Sequence, residues 1–268
     1  MSSDAERIML LRCPLDIVDF EEATAWCFSR AASKERPSQL ITVNAQSLLL
    51  MHDDPAMEEA IREAAMVVAD GASMALAARV LNLPWKGRVT GVDLMQRLMS
   101  EGGARHLKVY FLGATDLVLE RLLAVVRERY PGLVVAGYRN GYFDRNHDGE
   151  VIEQIRASGA DILFVGMPTP FKELWLHRNL PRFGVGLAIG VGGTFDVLAG
   201  LVPRAPLWMQ RAGLEWSWRL MMEPRKLWKR NVVYNSRFVA MLLRESFRRR
   251  EARSATNRRE REKDPYHR

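Results

Sequence analysis

Short apolar runs alternate with amphipathic stretches along most of this chain. Leu40–Val43, Met66–Ala69, Leu107–Leu112, Leu133–Ala136, Asp161–Val165 and Val185–Ile189 are aliphatic and often β-branched, with too little polar alternation to leave one face in water. Such runs fit strands covered on both faces, and the helical periodicity between most of them is the signature of βαβ units. The pattern predicts an α/β fold, Rossmann-like, with a mostly parallel sheet and helices on both faces. An earlier run, Ile8–Arg12, is expected to pair at an edge.

Helix signals support this division. Asp54–Pro55 opens a helix, with aspartate as cap and proline at the first helical position, where no intrahelical bond is lost. Ala56, Ala60, Ile61, Ala64 and Ala65 supply its apolar stripe. Thr115 or Asp116 starts a second helix that runs to Tyr130, and Pro131–Gly132 ends it. Residues 138–149, YRNGYFDRNHDG, read as a polar connection, either a lip over a cleft or a plain exposed loop.

The pattern changes near residue 203. Four of the seven tryptophans (Trp208, Trp216, Trp218 and Trp228) fall between residues 203 and 230. A helix is predicted to start at Pro224, after Glu223. Leu227, Tyr234, Phe238 and Met241 lie along its apolar stripe, and Arg225, Lys226, Lys229, Arg230 and Arg237 border it. Apolar face, aromatic edge and basic flanks describe an interfacial helix, although a helix packed on the body with solvated charges has the same pattern. The division expected is an α/β catalytic body over 1–202, a basic helical appendage over 203–247 and a disordered charged tail over 248–268.

Charge sharpens this picture. The chain of 268 residues carries a formal net charge of +7, yet residues 204–268 hold 18 Lys/Arg against 7 Asp/Glu, which leaves residues 1–203 at −4. A basic tail on a mildly acidic body suits an anionic membrane or a nucleic acid. The aromatic and apolar component favours the membrane, and no zinc-finger, RNP or KH-type signature is present. The run Phe238–Leu243 falls far short of the roughly 20 residues that span a bilayer. No secretory signal is read at the N-terminus, and two cysteines, Cys13 and Cys27, make no disulfide framework. The five histidines are scattered without ligand spacing, and neither a GxSxG elbow nor a GxGxxG fingerprint occurs. A nucleotide-binding enzyme therefore fits better than a metalloenzyme or a triad hydrolase. A non-enzymatic membrane- or nucleic-acid-binding protein that uses the basic segment is the alternative.

Four stretches place polar groups or glycines at strand carboxyl ends: ITVNAQS (41–47), VVADGAS (67–73), VYFLGAT (109–115) and LFVGMPTPFKE (163–173). In a parallel sheet all four converge on the edge where α/β enzymes bind ligands. Asp70 has two readings there, a general base or a cap for a helix that begins near Ser73. Thr42 and Asn44 share a face of a period-two strand and either orient a sugar hydroxyl or serve turn and cap chemistry. Gly113 precedes a helix N-terminus suited to phosphate. Gly192, Gly193 and Asp196 of IGVGGTFD follow another strand, the glycines allowing close packing or a diphosphate pocket.

Taken in order, TVNAQS, VVADGASMALAARVL, RVTGVDLMQRL, YFLGA, YPGLVVAGYRNGYF, GMPTPFKELW, IGVGGTFDVLAG and RAPLWMQRAGLEWSWRLMMEPRKLWKR resemble the WecG/TagA/CpsF bacterial glycosyltransferases of surface-polysaccharide synthesis. The resemblance runs from about Leu10 to Arg230. It implies inverting transfer of a hexose or N-acetylhexosamine from a UDP-sugar to an undecaprenyl-diphosphate-linked saccharide, at the cytoplasmic face of the membrane, without cofactor or metal. It places the family's Thr-x-Asn motif on Thr42 and Asn44, its Asp-Gly base on Asp70, its substrate-binding arginine on Arg88, and C-terminal arginines on Arg204, Arg219, Arg225 and Arg230. Where the family commonly reads Pro-Lys-Gln-Glu this chain reads Pro170-Phe171-Lys172-Glu173, so the active-site glutamine falls on Lys172, a cation suited to an acidic donor or a diphosphate. The partners implied are the UDP-sugar, the lipid-linked acceptor and an anionic membrane met by residues 204–247, with no nucleic acid. A homo-oligomer is compatible with the helix faces of the body.

Overall fold

The computed structural model describes residues 6–144, 147–211, 215–222 and 233–251. Its centre is a six-stranded sheet built from β3 (Ser38–Val43), β4 (Met66–Ala69), β5 (Lys108–Gly113), β6 (Val134–Arg139), β7 (Ile162–Gly166) and β8 (Leu187–Gly190). The spatial order is β4-β3-β8-β7-β5-β6, and every pairing is parallel. The helices are α1 (Phe20–Ala31), α2 (Ala45–Asp53), α3 (Pro55–Glu63), α4 (Ala72–Leu81), α5 (Gly91–Gly102), α6 (Asp116–Arg129), α7 (Gly149–Ser158), α8 (Phe171–Asn179), α9 (Thr194–Leu198), α10 (Leu207–Arg211) and α11 (Glu215–Met222), followed by a helix over 233–251.

Period-two alternation sorts the strand side chains into two cores. Leu40, Val68, Val109, Phe111, Phe164 and Ile189 face one side, where α1, α5, α6 and α9 cover them. Ile41, Val43, Val67, Tyr110, Leu112 and Leu163 face the other, under α2, α3, α4, α7 and α8. The α/β reading holds, with helices on both faces. The strands lie within a few residues of their predicted positions. Asp54 caps α3 by accepting from the Ala56 N–H, Pro55 takes the first helical position, and Thr115 caps α6 by accepting from Val118.

The N-terminal run corrects one expectation. Residues Ile8–Arg12 do not form an edge strand of the main sheet. β1 (Arg7–Leu10) turns back on β2 (Cys13–Asp16) as a separate antiparallel hairpin. Leu11 and Arg12 make the turn with φ of 50° and 67°. This left-handed two-residue geometry matches strand twist, but it lacks the Asn-Gly signal that usually announces it. The hairpin leans on edge strand β4 through a side chain: the Asp16 carboxylate accepts the Val67 N–H at 2.7 Å and is held in turn by Arg7.

The 233–251 helix packs on the body. Phe238 and Leu242 are buried in the core of the hairpin, α2 and α3, with Tyr234 and Met241 beside them. Arg237 closes a two-pronged pair with Asp53 at 2.7 and 2.8 Å. The same helix leaves Val239, Leu243 and Phe247 exposed. The predicted helix start at Pro224 lies outside the described residues. Among the described residues, no helix is long and apolar enough to cross a membrane.

Candidate active site

Parallel pairing brings the ends of β3 and β4 together. Val43 is opposite Ala69, so Asn44 and Asp70 leave the sheet side by side, and the Asp70 N–H donates to the Val43 carbonyl at 2.8 Å. Helices α2 and α4 start at once from these ends, and the Ala45 N–H donates to Ser73 Oγ between their first turns. Two helix N-termini, each with a positive end, therefore flank Asp70.

The N-cap of α4 is Gly71, whose φ of 91° suits glycine, and it makes no side-chain cap bond. Asp70 stands one residue earlier, half-buried at the strand end. Asn44 does serve as a cap. Its side-chain oxygen accepts the Gln46 and Ser47 N–H groups at 2.9 and 3.1 Å, and Ser47 Oγ accepts the Asn44 N–H. Asn44 keeps extended backbone, with φ of −129° and ψ of −176°, so the period-two alternation of β3 runs on from Thr42 to Asn44.

A strap over residues 88–91 closes over this end. The Val89 N–H donates to the Ala69 carbonyl at 2.9 Å, which draws Arg88 alongside the last residue of β4. A Cβ on Gly91 would stand 3.9 Å from Val191 Cα, so the strap also meets the loop that carries Gly192 and Gly193. Gly192 has a φ of 56°, and Asp196 lies in the short α9, its carbonyl accepting the Leu201 and Val202 N–H groups.

Arg88 belongs to a cluster that the sequence did not announce. Arg88 Nη1 stands 3.3 Å from Glu215 Oε2, and its other terminal nitrogen donates to the Gln210 carbonyl. Arg204 bonds Asp93 and Gln96 through its terminal nitrogens, while its Nε, 3.6 Å from Glu215 Oε1, is buried without a hydrogen-bond partner. Thr90 caps α5 and donates to Asp93 Oδ2 at 2.6 Å. The Thr90-x-x-Asp93 spacing is a helix-start signal; nothing in the sequence singles out Glu215. An open recess of about 430 Å³ lies beside the cluster, lined by Phe20, Arg88, Asp93, Gln96 and Arg97.

Lys172 and Glu173 occupy the first turn of α8, both buried. The lysine stem lies across Gly190, where a Cβ would meet its Cδ and Cε at 2.9 Å. Lys172 Nζ pairs with Glu173 Oε1 and bonds Thr169 Oγ1, which donates to the same carboxylate oxygen at 3.0 Å. Glu173 Oε2 is buried with no hydrogen-bond partner. The cation at the glutamine position is thus balanced inside the protein.

Gly113 sits apart. β5 is four strands from β4, about 19 Å across a sheet with roughly 4.8 Å spacing. A Cβ at Gly113 would lie 2.5 Å from the Gly166 carbonyl, so the close approach of β5 and β7 explains the glycine. Arg219 lies in α11, and Arg225 and Arg230 lie outside the described residues. Among the described residues, no group of three or more His, Cys, Asp or Glu could hold a metal ion.

A parallel α/β sheet with an aspartate, two helix N-termini and an arginine toward one carboxyl edge has the arrangement of open α/β folds, whose ligand crevices lie at that edge. The model of the glycosyl transferase WecG/TagA/CpsF family matches residues 8–252, and the chain belongs to that family. It is 28% identical over 234 residues to an N-acetylglucosaminyldiphosphoundecaprenol N-acetyl-beta-D-mannosaminyltransferase of Bacillus spizizenii, which covers 85% of this chain and 90% of the relative. Enzymes of the same description from Staphylococcus aureus strain MW2 and Bacillus subtilis strain 168 are 32% and 30% identical; the matches cover 71% and 70% of this chain and 73% of each relative.

Proposed function

We propose that this protein is an inverting glycosyltransferase that moves a hexose or N-acetylhexosamine from a UDP-sugar to a polyprenyl-diphosphate-linked saccharide. The observation that carries the reading is the position of Asp70. It stands at the end of β4 beside Asn44, outside the N-cap position of α4, with Arg88 drawn alongside by the Val89–Ala69 bond. The relatives' names, which join a lipid-diphosphate acceptor to an amino-sugar donor, support the substrate class.

In this mechanism Asp70 takes the proton from the acceptor hydroxyl, and the freed oxygen attacks the anomeric carbon from the face opposite the nucleotide. The bond to UDP breaks as the new bond forms, which inverts the configuration. Charge growing on the diphosphate is stabilised by Arg88, Arg204 and the helix N-termini without a metal. Arg219, Arg225 and Arg230 would join when the appendage repositions. Thr42 and Asn44 line the acceptor side, with the cap bonds of Asn44 fixing its rotamer. Gly192, Gly193 and Asp196 border the donor, and Lys172–Glu173 fixes the loop after β7. Gly113 contributes close strand packing.

The appendage would hold the enzyme on the inner face of the plasma membrane. Val239, Leu243 and Phe247 form an exposed stripe at helical spacing, flanked by Arg244 and Arg248, and Leu207 and Trp208 are exposed on α10. Such a face enters the headgroup boundary while each basic residue adds about 1 kcal/mol on an anionic surface.

Asp70→Asn tests the mechanism. It should retain UDP binding and lose transfer by about 100- to 10,000-fold, the range of a general base. Transfer at the wild-type rate would remove Asp70 from the chemistry.

A further inference from the structure

The cluster around Arg88 contains an anion of its own. Glu215 comes from the appendage, 127 residues along the chain from Arg88, and its two carboxylate oxygens face different arginines. One is 3.3 Å from Arg88 Nη1 and the other 3.6 Å from Arg204 Nε. The second contact is too long for a hydrogen bond, and that Nε–H is buried with no other acceptor. Arg204 is otherwise fully oriented, with its terminal nitrogens on Asp93 and Gln96, and Asp93 is fixed by Thr90. Two preset guanidinium groups thus share one carboxylate that leaves a donor unsatisfied, beside a recess open to solvent.

We infer that Glu215 is an internal stand-in for a diphosphate: it bridges Arg88 and Arg204, and an incoming diphosphate displaces it. This rests on the reading of the site as a diphosphate-using transferase. A diphosphate has more charge and more acceptor oxygens than a carboxylate, enough to serve both arginines and the orphaned Arg204 Nε–H. The Glu215–Arg88 contact is a long one at 3.3 Å, between side chains that both still reach solvent (26% and 25% exposed). Because Glu215 opens α11 and the Gln210 carbonyl also sits on Arg88, displacement frees this part of the appendage from the body. Ligand occupancy and appendage position are thereby coupled, and the coupling acts in both directions.

Two diphosphates reach the site under this reading, one on the nucleotide donor and one on the lipid acceptor. Their shared chemistry defines the displacing group, and separate ligands distinguish them. The experiment is calorimetric titration of the full chain and of Glu215→Gln with UDP, uridine and farnesyl diphosphate. Glu215→Gln should bind UDP, farnesyl diphosphate or both about five- to tenfold more tightly than wild type, with uridine unchanged, since removing a resident competitor raises the competent fraction. The ligand that gains names the source. Glu215→Asp keeps the charge on a shorter reach and should gain less. Hydrogen exchange over 207–222 should rise when the gaining ligand is added to wild type. UDP binding by wild type with no gain for either diphosphate in Glu215→Gln would overturn the inference while leaving the transferase reading intact. Absence of UDP and farnesyl diphosphate binding in both proteins would overturn the transferase reading and the inference with it.

Discussion

Lys172→Met removes one half of a buried ion pair and leaves the other. Lys172 and Glu173 are only 6% and 3% exposed, and Glu173 Oε2 already has no hydrogen-bond partner. Without Nζ, the carboxylate keeps a single bond, from Thr169 Oγ1. An uncompensated buried charge costs about 3–5 kcal/mol, and the methionine, which preserves the stem across Gly190, adds little packing loss. For a domain of this size, 1 kcal/mol corresponds to about 2–4 °C, so the melting temperature should fall by about 6–20 °C. Glu173→Met should cost a comparable amount by stranding the ammonium. The double variant should recover most of the loss, because a volume-conserving apolar pair leaves nothing charged to bury. Lys172→Gln, which removes the charge but keeps a donor, should fall between wild type and Lys172→Met. Urea denaturation followed by circular dichroism gives all four free energies. A Lys172→Met loss below about 1 kcal/mol, or a double variant as damaged as the sum of the singles, would refute the buried-pair argument.

Other expectations follow from the same structure. Burial pushes the Cys13 thiol up to about 12 and that of Cys27 higher still, so a thiol reagent at pH 8 should leave both unmodified in native protein and label both in denaturant. Arg237 holds the Asp53 carboxyl below its usual value of 3.8. Its support for the docked 233–251 helix is therefore full above that value and lost as pH falls through the lower folded-state value; hydrogen exchange in the helix should rise in acid and not between pH 6 and 8. Phe238→Ala should destabilise the protein by about 3–5 kcal/mol through the cavity it leaves, measured by urea denaturation. Leu243→Glu with Phe247→Glu alters only exposed positions, and should abolish co-sedimentation with anionic vesicles while leaving the melting temperature within about 2 °C of wild type.

The parts of this protein legible from sequence were those written in local periodicity. Strands such as Leu40–Val43 and Met66–Ala69 are continuous apolar runs because both faces are covered, and Asp54–Pro55 and Thr115 announce their helices by chemistry confined to a few residues. The β1–β2 hairpin was less legible because Leu11 and Arg12 adopt left-handed geometry without glycine or asparagine. Asp70 could be placed at a strand end next to a helix start, but that the N-cap of α4 falls on Gly71, one residue later, is set by the fold. That Arg88 joins Arg204 and Glu215 in one cluster was not legible, because Arg88 lies 127 residues from Glu215 along the chain. Lys172 and Glu173 are neighbours in sequence, yet adjacent helical residues normally point apart, so their pairing depends on burial beneath β8 and on Thr169.

The central claim is glycosyl transfer from a UDP-sugar to a lipid-linked sugar, and UDP release measures it directly. Purified full-length protein would be assayed against a panel of UDP-hexoses and UDP-N-acetylhexosamines, each with and without a short polyprenyl-diphosphate-linked saccharide in detergent. Release with one donor, dependent on the acceptor and lost in Asp70→Asn, is the predicted result. Acceptor-independent release, or equal release by wild type and Asp70→Asn, would contradict the account.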